Sequence, residues 1–217
     1  MLNKPLFITF EGLDYSGKST QVKNLHNFFL QHNLPCITTK EPGGCDAGNE
    51  IREILLKNRS KPLQKETQLL LNFASRFEHI QNTIAPNLKQ NISVISDRFI
   101  HSTYVYQGFA MGINLELIDF FCQQFVNIKP DITFFLDISP ETALQRSKNR
   151  PQQQNYYDKM PNYFWQKARN GFLDLAKQNS TIKIIDGNQN ETQVFQHIIP
   201  FLLENTLFRQ DILVDKI

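Results

Sequence analysis

The feature that most constrains this chain is the loop GLDYSGKS at residues 12–19, which completes the pattern G-x-x-x-x-G-K-[ST] directly after the apolar run 6–10. A loop of this pattern wraps around the phosphates of a nucleotide. Glycine is needed there because its missing Cβ permits positive φ angles and a close approach of the backbone, so that consecutive N–H groups point at the anion. The pattern has this role only between a buried strand and a helix, and it therefore predicts an α/β architecture.

The residues after the loop have the pattern of a helix over 18–32, with apolar side chains on one face and Pro35 ending the pattern. The positive end of this helix would face the phosphates, Lys18 would reach the β- and γ-phosphates, and Ser19 would place its hydroxyl on Mg²⁺. The alternative is a glycine-containing turn that binds no ligand. The residues expected to contact the nucleotide are Gly12, Leu13, Asp14, Tyr15, Ser16, Gly17, Lys18, Ser19 and Thr20.

Composition narrows the classes of partner. With 217 residues and 41% apolar residues, the chain can form one α/β domain with a small lid, and we expect a single domain over 1–217. The formal charge of +2 comes from 23 basic and 21 acidic residues without a long block of one sign, which predicts no nucleic-acid partner. Three cysteines without metal-type spacing, no room for a signal peptide and no membrane-length apolar run predict a cytoplasmic protein without membrane contact.

Short apolar runs alternate with longer amphipathic stretches, which predicts a five-stranded parallel sheet flanked by helices on both faces. Loops after the strands should carry the function, because ligands of such sheets lie outside the carboxyl ends of the strands. The predicted strands cover 6–10, 36–39, 92–96, 132–136 and 182–185, and the predicted helices cover 18–32, 47–58, 66–89, 114–127, 140–148, 161–178 and 191–206.

One segment lacks periodicity, and we interpret residues 149–160 as a lid. Basic residues lie at its edges, among them Arg146, Arg150 and Lys159, and they would contact the phosphates of a nucleotide when the lid closes. A solvated surface loop is the alternative interpretation.

Several further motifs occur in one order along nearly the whole chain: FEGLD at 10–14, KEPGG at 40–44, ASR at 74–76, DRF at 97–99 and YQG at 106–108. With these motifs the sequence resembles the bacterial thymidylate kinase family, which has the three-layer P-loop NTPase fold and a short lid. The resemblance implies transfer of the γ-phosphoryl group of ATP to dTMP, giving dTDP for dTTP biosynthesis, with Mg²⁺ as cofactor. It also implies a homodimer formed by helix packing, for which the apolar face of the helix at 114–127 is a candidate.

The resemblance also assigns roles to individual residues. Asp97 would hold the water shell of Mg²⁺, and Arg98 would grip the acceptor phosphate, where a planar guanidinium can make two parallel hydrogen bonds without losing its charge. The remaining roles are implied residue by residue: Asp14 at the 3′-hydroxyl of dTMP, Arg76 at the thymine carbonyl, Ser102 and Gln107 around base and sugar, Tyr106 against the 2′ position, and Arg146 over adenine.

The sequence departs from the family pattern at three places. Lys40 replaces the arginine that usually precedes Glu-Pro-Gly-Gly. Asn72 stands where a base-stacking aromatic is usual, which leaves Phe73 as the candidate for stacking. The essential arginine of the phosphate loop or of the lid is missing from both places. We expect Arg150 to replace it, with Lys148 and Lys159 as the alternatives.

The predicted chemistry needs no general base, because the acceptor is already an anionic phosphate oxygen. Two alternatives stay open at this point. One is another nucleoside monophosphate or deoxynucleoside kinase of the same fold. The other is a nucleotide-binding protein without transfer chemistry, which the missing lid arginine would explain.

Overall fold

The computed structural model describes residues 4–148 and 156–204. Five strands form one parallel sheet in the order β2-β3-β1-β4-β5, which confirms the predicted sheet. The strands are β1 Phe7–Glu11, β2 Cys36–Lys40, β3 Ser93–Asp97, β4 Ile132–Asp137 and β5 Ile182–Asp186. Each ends one residue later than predicted, and each now includes the polar residue at its carboxyl end.

Helices lie on both faces of the sheet. They are α1 Lys18–Gln31, α2 Asp46–Leu56, α3 Lys65–His79, α4 Ala85–Lys89, α5 Ile100–Thr103, α6 Leu115–Phe125, α7 Pro140–Lys148, α8 Asn162–Gln178 and α9 Glu191–Glu204. A π-helical turn, Ile80–Ile84, joins α3 to α4, so the helix predicted over 66–89 is helical throughout but changes its geometry. Within the described ranges no helix is long and apolar enough to cross a bilayer.

Strand residues alternate between two apolar layers, as the period of two requires. Phe134 and Leu136 pack with α1 and α9, whereas Phe135 between them packs with α8 on the opposite face. A third cluster covers the sheet beneath α3 and α6. The helices on the two faces leave the carboxyl ends of β1, β2 and β3 uncovered at one edge of the sheet.

The sequence did not predict the helical segment formed by α5 and the π-helical turn Tyr104–Ala110. This segment is rich in β-branched and aromatic residues with low helix propensity. Ser102 and Gln107 are buried in it and interrupt the apolar pattern. Tertiary burial therefore stabilises a helix that local preference does not indicate, and this helix carries one wall of the site.

Candidate active site at the carboxyl edge of the sheet

The phosphate loop connects β1 to α1 by the glycine geometry that the motif requires. Gly12 has φ +141°, and a Cβ there would lie 2.7 Å from the backbone oxygen of Leu136. Gly17 has φ +99° and immediately precedes α1, whose first turn contains no acidic side chain. The N-terminal N–H groups of α1 are therefore not bonded by an acidic side chain of the helix itself, and they can face an anion.

Lys18 is buried and donates hydrogen bonds to the backbone oxygens of Gly12 (3.2 Å) and Leu13 (2.7 Å). Burial and the charge of Arg98 lower the pKa of Lys18 to about 8, against the opposing effect of Asp97 and other carboxylates. The ammonium group is thus held at the loop by neutral carbonyls, and a phosphate arriving there would supply the counter-charge that it lacks.

Two oxygen-bearing side chains meet beside the loop. Ser19 Oγ donates to Asp97 Oδ2 at 2.6 Å, which brings the two predicted metal-binding residues together. A hydroxyl and a carboxylate are hard oxygen ligands of the kind Mg²⁺ takes when a nucleotide and water supply the rest of its shell. This pair of donors fits a Mg²⁺ ion that a nucleotide brings with it. Within the described part of the chain, no group of three or more His, Cys, Asp or Glu could hold a metal ion.

Arg98 lies at the centre of the site and has a left-handed backbone, with φ +73°. Its Nη1 donates to Gly12 O (3.0 Å), Ser102 Oγ (3.1 Å) and Tyr106 Oη (3.2 Å), and its Nη2 pairs with Asp14. The guanidinium carbon lies 5.1 Å from the centre of the Tyr106 ring. The structure thus brings three candidate substrate-binding residues, Asp14, Ser102 and Tyr106, around the guanidinium of a fourth, Arg98.

Glu11 fixes the turn that carries Arg98. Its Oε1 accepts from the backbone N–H groups of Phe99 (2.9 Å) and Ser102 (3.1 Å), and its Oε2 accepts from Ser102 Oγ (2.6 Å). Burial raises the pKa of Glu11 to about 7, against the lowering effect of Arg98 and these donors. The sequence indicated no role for Glu11 beyond its place in the FEGLD motif, whereas the structure shows its carboxylate bonded to the turn at Phe99, 88 residues further along the chain.

A cavity opens beside Arg98, at the carboxyl edge of the sheet. We call it the acceptor cavity. Asp14, Arg98, Ser102, Tyr106 and Gln107 line it, so the structure brings these five candidate substrate-binding residues to one cavity. Its other lining residues are Glu41, Pro42, Arg52, Leu55, Leu56, Asn72, Thr103 and Tyr157.

Phe73 does not line the acceptor cavity. It is 3% exposed and packs against Phe121 in the core, with ring centres 5.2 Å apart. Asn72 lines the cavity instead and donates its amide to the backbone oxygen of Gln68 at 2.8 Å. The helical period decides this, because neighbouring residues of α3 point about 100° apart and only one of them can face the cavity.

Arg76 lies behind the cavity wall. Its Nη2 is 2.7 Å from Glu41 Oε2, its Nη1 donates to Thr103 Oγ1 at 2.9 Å, and its Nε also bonds Glu41. His79 contacts the second oxygen of Glu41 at 3.0 Å. All three guanidinium nitrogens therefore bond protein acceptors, which holds the Arg76 side chain in one place behind the wall.

Sequence reasoning missed Arg52, which lines both the acceptor cavity and a second cavity above the phosphate loop. We call the second one the phosphate cavity. Arg52 Nη1 donates to the backbone oxygen of Pro42 at 2.8 Å. Burial and the charge of Arg98 lower its pKa, against Asp97 and Asp14. The amphipathic pattern of α2 contained this arginine but did not indicate which cavity it faces.

The phosphate cavity is lined by the loop residues Lys18 and Ser19, by Asp97 and Arg98, and by the exposed Lys40 at the end of β2. Lys40 is the candidate contact of the acceptor phosphate, and it lines the phosphate cavity but not the acceptor cavity. A third cavity lies on the other side of the loop, lined by residues that include Tyr15, Ser16, Gly17, Thr20 and Arg146. Arg146 donates to the backbone oxygens of Tyr15 (3.3 Å) and Gly187 (2.8 Å), which fits a predicted position over a nucleobase.

The lid is described only at its C-terminal end. Residues 149–155, which include Arg150, lie outside the described residues. Tyr157 begins a short 3₁₀ turn, Tyr157–Lys159, and lines the acceptor cavity. Asp158 lines the phosphate cavity and accepts a hydrogen bond from the hydroxyl of Tyr15 at 3.3 Å.

Comparison with known proteins agrees with this geometry. Residues 10–198 match the family described as thymidylate kinase. The chain is 42% identical to the thymidylate kinase of Mycoplasma capricolum over 92% of this chain and 95% of that protein. It is 38% identical to the enzyme of Carboxydothermus hydrogenoformans over 90% of this chain and 96% of that protein. The crystal structure of thymidylate kinase from Ehrlichia chaffeensis superposes with a TM-score of 0.74 at 33% identity and covers 92% of this chain and 99% of that one. A chain with this phosphate loop, this acceptor cavity and these relatives belongs to the thymidylate kinase family.

Proposed function

We propose that this chain transfers the γ-phosphoryl group of ATP to dTMP, giving dTDP and ADP, through the residues around Arg98. The observation that carries the assignment is that the acceptor cavity and the phosphate cavity share a border made of Asp14, Glu41, Arg52 and Arg98. A monophosphate bound in the acceptor cavity with its phosphate at this border would lie directly opposite the phosphate loop. Such a border is what transfer from one phosphate to another requires.

The reaction depends on position and charge rather than on proton removal. Arg98 and Arg52 would hold the acceptor phosphate at the border, and Lys40 would add a more flexible cation from the end of β2. Lys18 would move from the carbonyls of Gly12 and Leu13 onto the β- and γ-phosphates, where its charge stabilises the transferring group. Mg²⁺, when bound beside Ser19 and Asp97, would neutralise further phosphate charge.

The acceptor cavity fits a deoxynucleotide. Tyr106 is 7% exposed, and its hydroxyl is held between Arg98 and Gly12 O, so its position is fixed. A fixed ring at the sugar would crowd a 2′-hydroxyl, whereas Asp14 would accept a bond from a 3′-hydroxyl. Gln107 and Asn72 present polar groups to the base in place of an aromatic stacking partner.

The cation that approaches the transferring group from the lid is part of the same proposal. We assign it to Arg150, because no arginine occupies the phosphate loop itself. Arg150→Ala should lower kcat by roughly a hundredfold with little change in the KM for dTMP, because the lost charge acts in the transition state. An Arg150→Ala enzyme with normal kcat would assign that role to another residue.

We propose a homodimer formed by the outer faces of α3 and α6, which we call the α3–α6 face. Its apolar side chains are exposed to 40–55%: Leu70, Phe77, Leu117, Phe120 and Phe125. A second copy would cover them by helix packing. Light scattering of Phe120→Glu should show a monomer where the parent chain is a dimer, while Leu144→Glu on α7, where Leu144 is 61% exposed, should leave the dimer intact. A monomeric parent chain at micromolar concentration would contradict the proposal.

A cytoplasmic location completes the proposal. All three cysteines of the chain, Cys36, Cys45 and Cys122, are thiols outside any disulfide, which is usual for proteins of a reducing compartment.

The test of the function is turnover of the purified chain with Mg-ATP and, separately, dTMP, dUMP, UMP, dCMP and dGMP, with ADP and each diphosphate measured. We expect dTDP to form well above the other products. Preference for another acceptor would indicate a different kinase of the same fold. Binding of ATP and dTMP without dTDP would indicate a protein that has lost the transfer chemistry.

A further inference from the structure

A chain of hydrogen bonds connects the lid to the wall of the acceptor cavity. Gln107 Nε2 donates to the hydroxyl of Tyr157 at 3.1 Å, and this hydroxyl donates to Gln68 Oε1 at 3.3 Å. Gln68 Nε2 in turn donates to the backbone oxygen of Leu63 at 3.0 Å. Gln68 and Gln107 are each 2% exposed, and Tyr157 is partly buried between them. The chain thus joins α3, the lid and the π-helical turn.

The last acceptor in this chain of hydrogen bonds, the backbone oxygen of Leu63, fixes the direction of every bond in it. A backbone oxygen can only accept, so Gln68 must turn its NH₂ group to Leu63 and its carbonyl to Tyr157. The Tyr157 hydroxyl must then donate its proton to Gln68 and accept from Gln107. Burial raises the pKa of Tyr157, so the hydroxyl keeps its proton at neutral pH. Gln107 is left with its NH₂ group engaged and its carbonyl oxygen turned the other way.

The carbonyl oxygen of Gln107 accepts no hydrogen bond from the residues that the structure describes, although the side chain is otherwise enclosed. Gln107 and Tyr157 both line the acceptor cavity. A fixed acceptor at this wall suits a base whose ring nitrogen carries a proton. Thymine and uracil have such an N3–H group, whereas N3 of cytosine is itself an acceptor and would meet the oxygen lone pair to lone pair.

We infer that Tyr157 is a positioning residue that, together with Gln68, locks the carboxamide of Gln107 with its oxygen toward the base and so selects imide-bearing pyrimidines over cytosine. This inference rests on the proposed function, because it takes dTMP to be the occupant of the acceptor cavity. It adds a role for the lid: the residue after Tyr157 is Asp158, which contacts Tyr15 of the phosphate loop. Adjacent lid residues thus contact the base wall and the phosphate loop.

The test compares kcat/KM of the full chain and of Tyr157→Phe for three acceptors, dTMP, dUMP and dCMP. Without the hydroxyl, Gln107 can rotate and offer its NH₂ group to N3 of cytosine. We expect the dTMP to dCMP ratio to fall roughly tenfold, the size of one directed hydrogen bond with its unpaired alternative. The dTMP to dUMP ratio should stay within about twofold, because these bases share the N3–H and differ only in the methyl group.

The dUMP comparison separates orientation from packing. A looser cavity would lower the preference for the thymine methyl group as well, so a loss of both ratios, or an equal fall for all three acceptors, would overturn the inference. Unchanged ratios in folded Tyr157→Phe would overturn it too. Gln68→Met breaks the same chain from α3 and must give the same pattern; it also serves if Tyr157→Phe does not fold.

The matched control is Tyr156→Phe, in the neighbouring lid residue, whose ring touches Tyr157 but whose hydroxyl takes no part in the chain of bonds. It should leave all three kcat/KM values unchanged, and a Tyr156→Phe enzyme with the altered ratio would contradict the assignment to Tyr157. Failure of the parent chain to form dTDP would overturn the proposed function and this inference together. Formation of dTDP with an unaltered ratio in the variants would overturn this inference alone.

Discussion

The donor side and the acceptor side of the site are built in different ways. The phosphate loop is one contiguous segment, 12–19, and it presents backbone N–H groups and one cation, Lys18. The acceptor cavity is assembled from side chains of at least six separate segments, and these side chains hold one another in place. Backbone groups read the phosphates common to all nucleotides, whereas side chains can distinguish one base from another. The phosphate loop can therefore bind any nucleotide, whereas the acceptor cavity can select one base.

The largest effect should come from Lys18, the cation of the phosphate loop. Lys18→Met keeps the length of the side chain but removes its charge, and we expect kcat to fall roughly a thousandfold, the usual effect of losing one preorganised charge at a transferring phosphoryl group. The measurement is dTDP formation at saturating ATP and dTMP.

Lys23→Met is the matched control, because Lys23 is an exposed lysine of the same helix α1. It should leave kcat unchanged. The dTMP affinity of Lys18→Met, measured by calorimetry, should change little if the two sides are independent. A Lys18→Met enzyme with normal turnover and intact folding would remove the phosphate loop from the mechanism.

The next effect tests whether the acceptor side depends on geometry as well as on charge. Arg98→Lys keeps the positive charge but loses the planar fork that now contacts Gly12, Ser102 and Asp14. We expect kcat/KM for dTMP to fall roughly a hundredfold, with ATP binding nearly unaffected.

Arg59→Lys, at a position outside both cavities, provides the control for the substitution itself. Equal losses of dTMP and ATP affinity in Arg98→Lys would show that the border residue serves both sides, and the contrast between them would then be wrong.

These two sides were also not equally predictable from the sequence. The phosphate loop is a local pattern, so its residues, the strand before it and the helix after it could be placed from the sequence. The contact between Ser19 and Asp97 was predictable in kind, because both follow neighbouring strand ends. Arg52, Glu11 and Tyr157 were not assigned a role, because each reaches the site through tertiary packing across many residues of sequence. Phe73 was placed in the cavity by its chemistry, whereas the rotation of α3 directs it into the core.

Substitution of a buried charge behind the wall of the acceptor cavity should lower the stability of the fold. Glu41 and Arg76 are each 3% exposed, and His79 contacts the same carboxylate. Glu41→Gln keeps the shape but leaves the Arg76 charge without its partner, and we expect the free energy of unfolding to fall by about 3 kcal/mol. Urea denaturation measures this change.

An exposed ion pair gives the reference for that loss. Asp174 and Lys177 on α8 are 47% and 72% exposed, and Asp174→Asn should change the free energy of unfolding by less than about 0.5 kcal/mol. If Glu41→Gln were equally mild, the network behind the acceptor wall would not hold that wall in place.

The smallest effect is a difference in pH dependence between the two sides. Burial and Arg98 lower the pKa of Lys18 to about 8, so the lysine is protonated below that pH and loses its charge above it. At Arg98, burial works to lower the pKa, but Tyr106, Asp14, Asp97 and Glu11 outweigh it and raise the pKa, so the guanidinium stays charged throughout. Phosphate binds the protonated lysine. The affinity of the chain for a non-hydrolysable ATP analogue should therefore fall roughly tenfold between about pH 7.5 and pH 9.5, while the affinity for dTMP stays constant.

Calorimetry in two buffers of different ionisation enthalpy should also detect proton uptake when the analogue binds above pH 8, because the arriving phosphates raise the pKa of Lys18 again. A parallel decline of both affinities would mean that one titrating group governs the whole site, and no decline would mean that Lys18 keeps its charge through a contact stronger than the two carbonyls that now hold it.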